Sequence, residues 1–256
     1  MMTFAVITPT IGTEELAHCI ESLRGQDCRH YIVMDGAENF AAINKVMLRV
    51  GVTQQTRVIS LEDNIGKGWY GHRVFAAASF LVNEDILCYL DEDNWVEPNY
   101  IEEFKKVLSD PENQWAYTLR KIVDESGQYI CDDNFESLGL WSVTGDPNRH
   151  HIDTGCFAVP RSIALKVGHH WYGQWGADRQ FFAALKAAAP KFGCTTQHTL
   201  NYRLGGSTSL ATRDMFIHGN KLTAEVYGRD YPWHSQTKKK STVLVYHTSP
   251  PIPIAP

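Results

Sequence analysis

Four short apolar runs, at residues 4–8, 30–34, 57–60 and 86–90, constrain this chain more than any other feature. A polar cluster follows each run, and a stretch of helical spacing comes before the next. Runs this short and this apolar suit strands buried on both faces, and such strands alternating with helices build a mostly parallel sheet with helices on both sides. Helical spacing falls over 14–24 (Leu16, Ile20, Leu23), closed by Gly25, over 41–50, and over the alanine-rich 71–82. The predicted fold class is a single α/β, Rossmann-like domain.

The second half continues less regularly. A helix over 100–108 opens after Pro98, a strand covers 115–119, and a hairpin over 121–130 turns at Asp124-Glu-Ser-Gly. Residues 132–151 are polar and weakly patterned and read as loop. Strands at 156–159 and 195–202, helices at 161–167, 177–189 and 213–227, and a glycine turn over 203–209 complete the domain. The domain spans residues 1–240, and 241–256 form a proline-rich, extended tail.

The formal net charge of −5 gives no electrostatic basis for unaided binding to nucleic acid or anionic membrane. Six dispersed cysteines, with no C-x-x-C pair, read as free thiols of a reducing compartment. With no transmembrane-length apolar stretch, the expectation is a soluble, cytoplasmic protein. Nothing in the sequence sets the oligomeric state.

The polar clusters carry the chemistry. Residues 8–10, Asp35, Asp63-Asn64 and 91–94 each follow a strand, and in open α/β sheets ligands bind beyond the carboxyl ends of the strands. In extended chain Asp91 and Asp93 project to the same face. Two carboxylates held together repel, and a hard divalent cation relieves that repulsion while accepting phosphate oxygens from a substrate. Glu92 points the other way and is expected to be a bystander.

These motifs, in this order, resemble family 2 glycosyltransferases with the GT-A fold, most closely over the first two-thirds of the chain. The matching elements are Thr8-Pro9-Thr10, Val33-Met34-Asp35-Gly36, Asn64-Ile65-Gly66-Lys67-Gly68 and Asp91-Glu92-Asp93, the last followed by a proline-initiated helix. The resemblance implies a nucleotide-binding half over residues 1–110 and an acceptor-binding half over 111–240. Thr8, Pro9, Thr10 and Asp35 would hold the nucleoside. Asn64, Gly66 and Lys67, with Arg73 a further candidate, would line the nucleotide site. Asp91 would lie near the ribose and share the metal site with Asp93, which would bind Mn2+ or Mg2+ against the diphosphate of a UDP-sugar. Asp178, at the start of a helix, takes the place of the general base of an inverting transfer, although Ala177 replaces the acidic residue usual before it.

On the acceptor side Asp153 either orients a sugar or caps a turn. Trp171 and Trp175, with Tyr172 between them, either stack on a sugar ring or pack in the core. The sequence departs from the family at Gly205, where many relatives carry a histidine that completes the metal site; His198 and His218 are the nearest substitutes. The implied activity is transfer of a sugar from a nucleotide sugar to a glycan or other hydroxyl acceptor. Two other readings stay open: a sugar-phosphate nucleotidyltransferase, against which the single glycine and absent basic residues of 8–15 argue, and a non-catalytic nucleotide-sugar-binding module.

Overall fold

Strands buried on both faces set the layers of this molecule. The computed structural model describes residues 2–144, 146–205, 211–228 and 230–234. Parallel strands β1 (Phe4–Thr10), β2 (Arg29–Asp35) and β3 (Thr56–Leu61) pair in the order β3-β2-β1, and β4 (Ile86–Tyr89) follows beside β1. The interior strands β1, β2 and β4 are almost wholly buried, whereas β3, at the edge, is largely exposed. On β2, Ile32 and Met34 pack with Ile43, Val46 and Met47 of helix α2 (Phe40–Val50), next to α1 (Leu16–Ser22). Tyr31 and Val33 face the other way and join the cluster holding Val74, Phe75 and Ala78 of α3 (His72–Leu81). Successive side chains leave a strand on opposite faces, so helices cover both sides of the sheet.

Past β4 the sheet turns antiparallel. Strand β8 (Phe157–Pro160) runs against both β4 and the long β6 (Trp115–Val123), whose other edge carries parallel β9 (Phe192–Arg203). The two-residue β5 (Trp95–Val96) pairs with β9, and β7 (Tyr129–Asp132) closes a hairpin with β6. Helix α4 (Tyr100–Leu108) packs against β6 and β9, and α5 (Arg161–Val167), α6 (Ala177–Ala188) and α7 (Arg213–Tyr227) complete the single α/β domain.

Several expectations are corrected. The first strand does not stop at residue 8 but runs through Pro9 to Thr10. The last β4 residue beside β1 is Tyr89, opposite Ile7, so Pro9 lies past the rung where β4 would need its missing N–H. Residues 132–151 are organised around one carboxylate. Asp133, fully buried, accepts hydrogen bonds from the backbone N–H groups of Phe135 (2.9 Å), Glu136 (2.8 Å) and Ser137 (3.1 Å). Downstream, Gly139 and His151 form a β-bridge. Trp171 belongs to the core. It is 0% exposed, stacks on Phe181 at 4.5 Å and packs among Phe75, Tyr89 and Phe157, so it cannot meet an acceptor.

All six cysteines are free. Among the described residues no helix is long and apolar enough to cross a membrane. The proline-rich 241–256 segment and most of the glycine turn expected over 203–209 lie outside the described residues.

Candidate active site

The carboxyl ends of β1, β2 and β4 bring the first set of predicted residues together. Asp35, the last residue of β2, is buried, and its carboxylate accepts from the backbone N–H groups of Ile65 (2.9 Å) and Gly66 (2.8 Å). Burial raises its pKa, and these two hydrogen bonds oppose the rise. Gly66 is required here, because a Cβ would overlap Asp35 Oδ2. The Asn64–Gly71 loop also lies against Pro9, whose ring atoms would stand 3.1–3.2 Å from a Cβ at Gly71.

Within that loop Asn64 Oδ1 is buried without a hydrogen-bond partner among the described residues. Arg73 Nε is in the same position, and its guanidinium lies over the rings of Trp69 (3.8 Å) and Tyr172 (5.0 Å). Lys67 is exposed. Buried polar atoms left unpaired are costly unless a ligand or water meets them. The Thr8 and Thr10 hydroxyls, by contrast, are turned inward. Thr8 Oγ1 lies 2.9 Å from His30 Nε2, and Thr10 Oγ1 donates to Glu92 at 2.6 Å.

Glu92 is not a bystander. Besides Thr10 it accepts from the backbone N–H groups of Ile11, Gly12 and Thr13 at 3.1–3.3 Å, so it holds the loop between β1 and α1 in place. Asp91 and Asp93 are left with uncompensated charge. Burial, followed by the charges of Asp93, Asp153, Asp178 and Glu92, raises the Asp91 pKa well above the usual carboxylate range. Burial and Glu92 push Asp93 up to about 6, against the pull of Arg203.

Arg203, at the end of β9, braces this loop. It donates to the Asp93 carbonyl (3.1 Å) and the Glu125 carbonyl (2.8 Å), and its backbone N–H donates to Asn94 Oδ1 (3.0 Å).

Two repelling carboxylates fit a divalent cation that keeps water and substrate phosphates as its remaining ligands, as Mg2+ does. Among the described residues no three His, Cys, Asp or Glu side chains form a closed metal site. Gly205 explains part of that. It has φ +87°, and a Cβ would meet the Glu125 side chain, so a histidine there would be strained. The suggested substitutes stand elsewhere: His198 beside Asp132 and His234, His218 exposed on α7.

The second half supplies Asp178, in the first turn of α6. Its Oδ2 lies 2.6 Å from His151 Nε2, and its Oδ1 accepts from the Arg179 backbone N–H at 2.8 Å. Burial alone would raise its pKa, but the charge and hydrogen bond of His151 outweigh it and hold Asp178 at about 2.

Asp153 is committed to structure. It caps the turn at Gly155 and receives Arg120 Nη1 at 2.5 Å, while Arg120 Nε binds Asp133 at 2.7 Å. Of the three aromatics in this turn, Trp175 (63% exposed) and Tyr172 (59%) reach the surface, Tyr172 with one face toward Arg73. Sequence reasoning missed Glu92, Arg120, Glu136, His151 and Arg203. Their only signal was charge within polar stretches, because their partners lie far away in the chain.

The strand order, the acidic strand end at Asp91–Asp93 and the carboxylate at the start of α6 define the GT-A class of α/β fold. The sequence profile of Glycosyl transferase family 2 matches residues 5–180, and the chain belongs to that family. Among solved structures the fold is similar to S. aureus TarS 1–349 in complex with UDP, at TM-score 0.60 and 13% identity over 88% of this chain and 70% of that one. The same protein in complex with UDP-GlcNAc gives TM-score 0.62 and 13% identity over 88% of this chain and 66% of that one. An uncharacterized protein of Haemophilus influenzae is 38% identical over 66 residues, which are 26% of this chain and 45% of that protein.

Proposed function

We propose that the protein is an inverting, divalent-metal-assisted glycosyltransferase that moves a sugar from a UDP-sugar to an acceptor hydroxyl, with Asp178 as general base. One observation carries this reading: Phe181 of α6, one turn after Asp178, packs edge-on against Tyr89 of β4 at 5.6 Å, two residues before Asp91, so the second half brings its carboxylate to the acidic end of β4. A nucleotide-binding half (1–110) and an acceptor-binding half (111–240) thus meet at one acidic centre. Membership of Glycosyl transferase family 2, and a fold shared with a protein crystallised with UDP and UDP-GlcNAc, support the choice of donor.

Asp35 meets the base edge of the nucleoside, because each of its oxygens keeps a lone pair beyond the backbone bond it accepts. Thr8 and Pro9 line the pocket through backbone and ring. Asn64 Oδ1 and the Arg73 guanidinium offer unpaired polar groups to the nucleotide, and Lys67 a mobile charge for the phosphates. Asp93, with Asp91, would hold Mn2+ or Mg2+, which when bound stabilises the charge that develops on the departing diphosphate.

Asp178 accepts the acceptor hydroxyl's proton as that oxygen bonds to the anomeric carbon and the bond from that carbon to the diphosphate oxygen breaks. The attacking hydroxyl becomes strongly acidic as it bonds, so a carboxylate of low pKa suffices if proton transfer accompanies attack. Trp175 and Tyr172 present faces suited to the C–H side of a sugar. Six free thiols favour a cytoplasmic setting.

A thermal-shift series with UDP-GlcNAc, UDP and other nucleotide sugars, with and without Mn2+, tests the donor assignment. A ligand of the folded state raises Tm in proportion to the logarithm of its excess over Kd. A UDP-sugar shift that grows with Mn2+ supports the reading. No shift, or pyrophosphate release from a nucleoside triphosphate, contradicts it.

A further inference from the structure

The carboxylate chosen as base has a partner that the transfer scheme leaves unused. His151 is buried, precedes the structural Asp153 by two residues, and is tied by its backbone carbonyl to the Gly139 N–H at 2.8 Å. Its Nε2 lies 2.6 Å from Asp178 Oδ2. Its other nitrogen has no hydrogen-bond partner among the described residues and faces Glu136 Oε2 at 3.8 Å. Glu136 in turn receives Arg179 Nη2 at 3.1 Å, and the Arg179 backbone N–H returns to Asp178 Oδ1 at 2.8 Å. Asp178, His151, Glu136 and Arg179 therefore form one cluster, hydrogen-bonded throughout except across the 3.8 Å between His151 and Glu136, in which both Asp178 oxygens are held from the side of α6 and the 136–151 segment.

We propose that His151 is a positioning residue for the base, keeping the Asp178 carboxylate ionised and aimed within an otherwise acidic centre. The physical need is specific. Asp178 shares its surroundings with Asp91 and Asp153, and a carboxylate among like charges and partly removed from water tends to take up a proton. A protonated Asp178 cannot accept the acceptor hydroxyl's proton. A donor at Oδ2 opposes that protonation and stops the carboxylate rotating, which leaves the second lone pair of each oxygen free for the substrate. During transfer the hydroxyl proton goes to Asp178 while His151 stays hydrogen-bonded, and the proton leaves to solvent with the product. The groups that bear on Asp178 are His151, Arg179, Asp91, Asp153 and, from α3, His72, while Glu136 bears on His151.

This inference rests on Asp178 being the base, and the test separates the two claims. UDP release from UDP-GlcNAc with Mn2+ and water as acceptor is measured for the full chain and for His151→Ala, His151→Gln, Asp178→Asn and the His151→Ala/Asp178→Asn double variant, each with its Tm. The expected result is a loss in kcat of about tenfold to a hundredfold for His151→Ala, partly regained as pH rises, with donor KM within about twofold. His151→Gln, whose amide can still donate to Oδ2, recovers most of that loss. In the double variant the histidine change costs nothing beyond Asp178→Asn alone.

Equal losses from His151→Ala in the two backgrounds would overturn the positioning role while leaving Asp178 as base. Turnover by His151→Ala equal to that of the unaltered chain would overturn it as well. Full turnover by Asp178→Asn would overturn both claims together. If His151→Ala does not fold, the Gln variant decides alone: a hundredfold loss at unchanged Tm contradicts a role that an amide donor can fill.

Discussion

Glu92 and Thr10, eighty-two positions apart, are joined by a 2.6 Å hydrogen bond from the threonine hydroxyl to the glutamate carboxylate. With the N–H groups of Ile11, Gly12 and Thr13 on the same carboxylate, this contact fixes the loop leaving β1 to the loop leaving β4. Glu92→Ala strands those donors, and each buried donor left unpaired costs about 1–3 kcal/mol. The expected outcome is a stability loss of about 2–4 kcal/mol by urea denaturation together with weaker UDP binding by calorimetry. A variant with unchanged stability would mean that the loop holds itself.

Gly66 offers a second, purely steric test. A Cβ at this position would overlap the Asp35 carboxylate. Gly66→Ala should push the loop off Asp35, break the bonds from Ile65 and Gly66, and weaken UDP binding by about tenfold or more, in line with one or two lost hydrogen bonds to a charged group. Titration calorimetry checks this, and unaltered affinity would show that the loop does not shape the nucleotide pocket.

Gly205→His asks whether the family's missing histidine can be restored. The positive φ of +87° and the Glu125 side chain, which occupies the space of the new Cβ, both resist it. The variant should lose stability and gain no Mn2+ affinity. Tighter Mn2+ binding with unchanged Tm would show that the loop after β9 can swing its residue toward Asp93.

His30 gives the fold a pH dependence of defined sign. Burial lowers its pKa from 6.5 to about 4. The unfolded chain therefore binds a proton below about 6.5 that the folded chain refuses until about 4, so stability falls as pH drops through that window. The full loss is about 3 kcal/mol from this group. Asp35, Asp91 and Asp93 have raised pKa values and act in the opposite direction, so the comparison is between the unaltered chain and His30→Gln. The stability difference between the two should shrink as pH falls from about 7 to about 4; a constant difference would contradict the assignment.

The order of strands and helices along the first half was legible in sequence because its information is local. Short, continuous apolar runs, each followed by a polar cluster, put Asp35, Asp91 and Asp93 at strand ends without knowledge of distant partners. Glu92, Asp133 and His151 were illegible for the opposite reason. Glu92 serves residues near position 10, Asp133 serves Arg120 on the neighbouring strand of the β6–β7 hairpin, and His151 meets a helix twenty-seven residues on. None of these pairings leaves a periodic trace. Trp171 and Trp175 look alike in a turn-rich aromatic stretch, yet one is 0% and the other 63% exposed, a difference set by which of them faces Phe181.

The proposed union of the two halves in one catalytic centre is tested most directly by Asp178→Asn in the presence of UDP-GlcNAc and Mn2+. Donor affinity should stay within about twofold of the unaltered chain by calorimetry, while UDP release slows by about a hundredfold or more, the scale expected for loss of a general base. UDP release at the unaltered rate would contradict the shared centre, as would donor binding and turnover falling together.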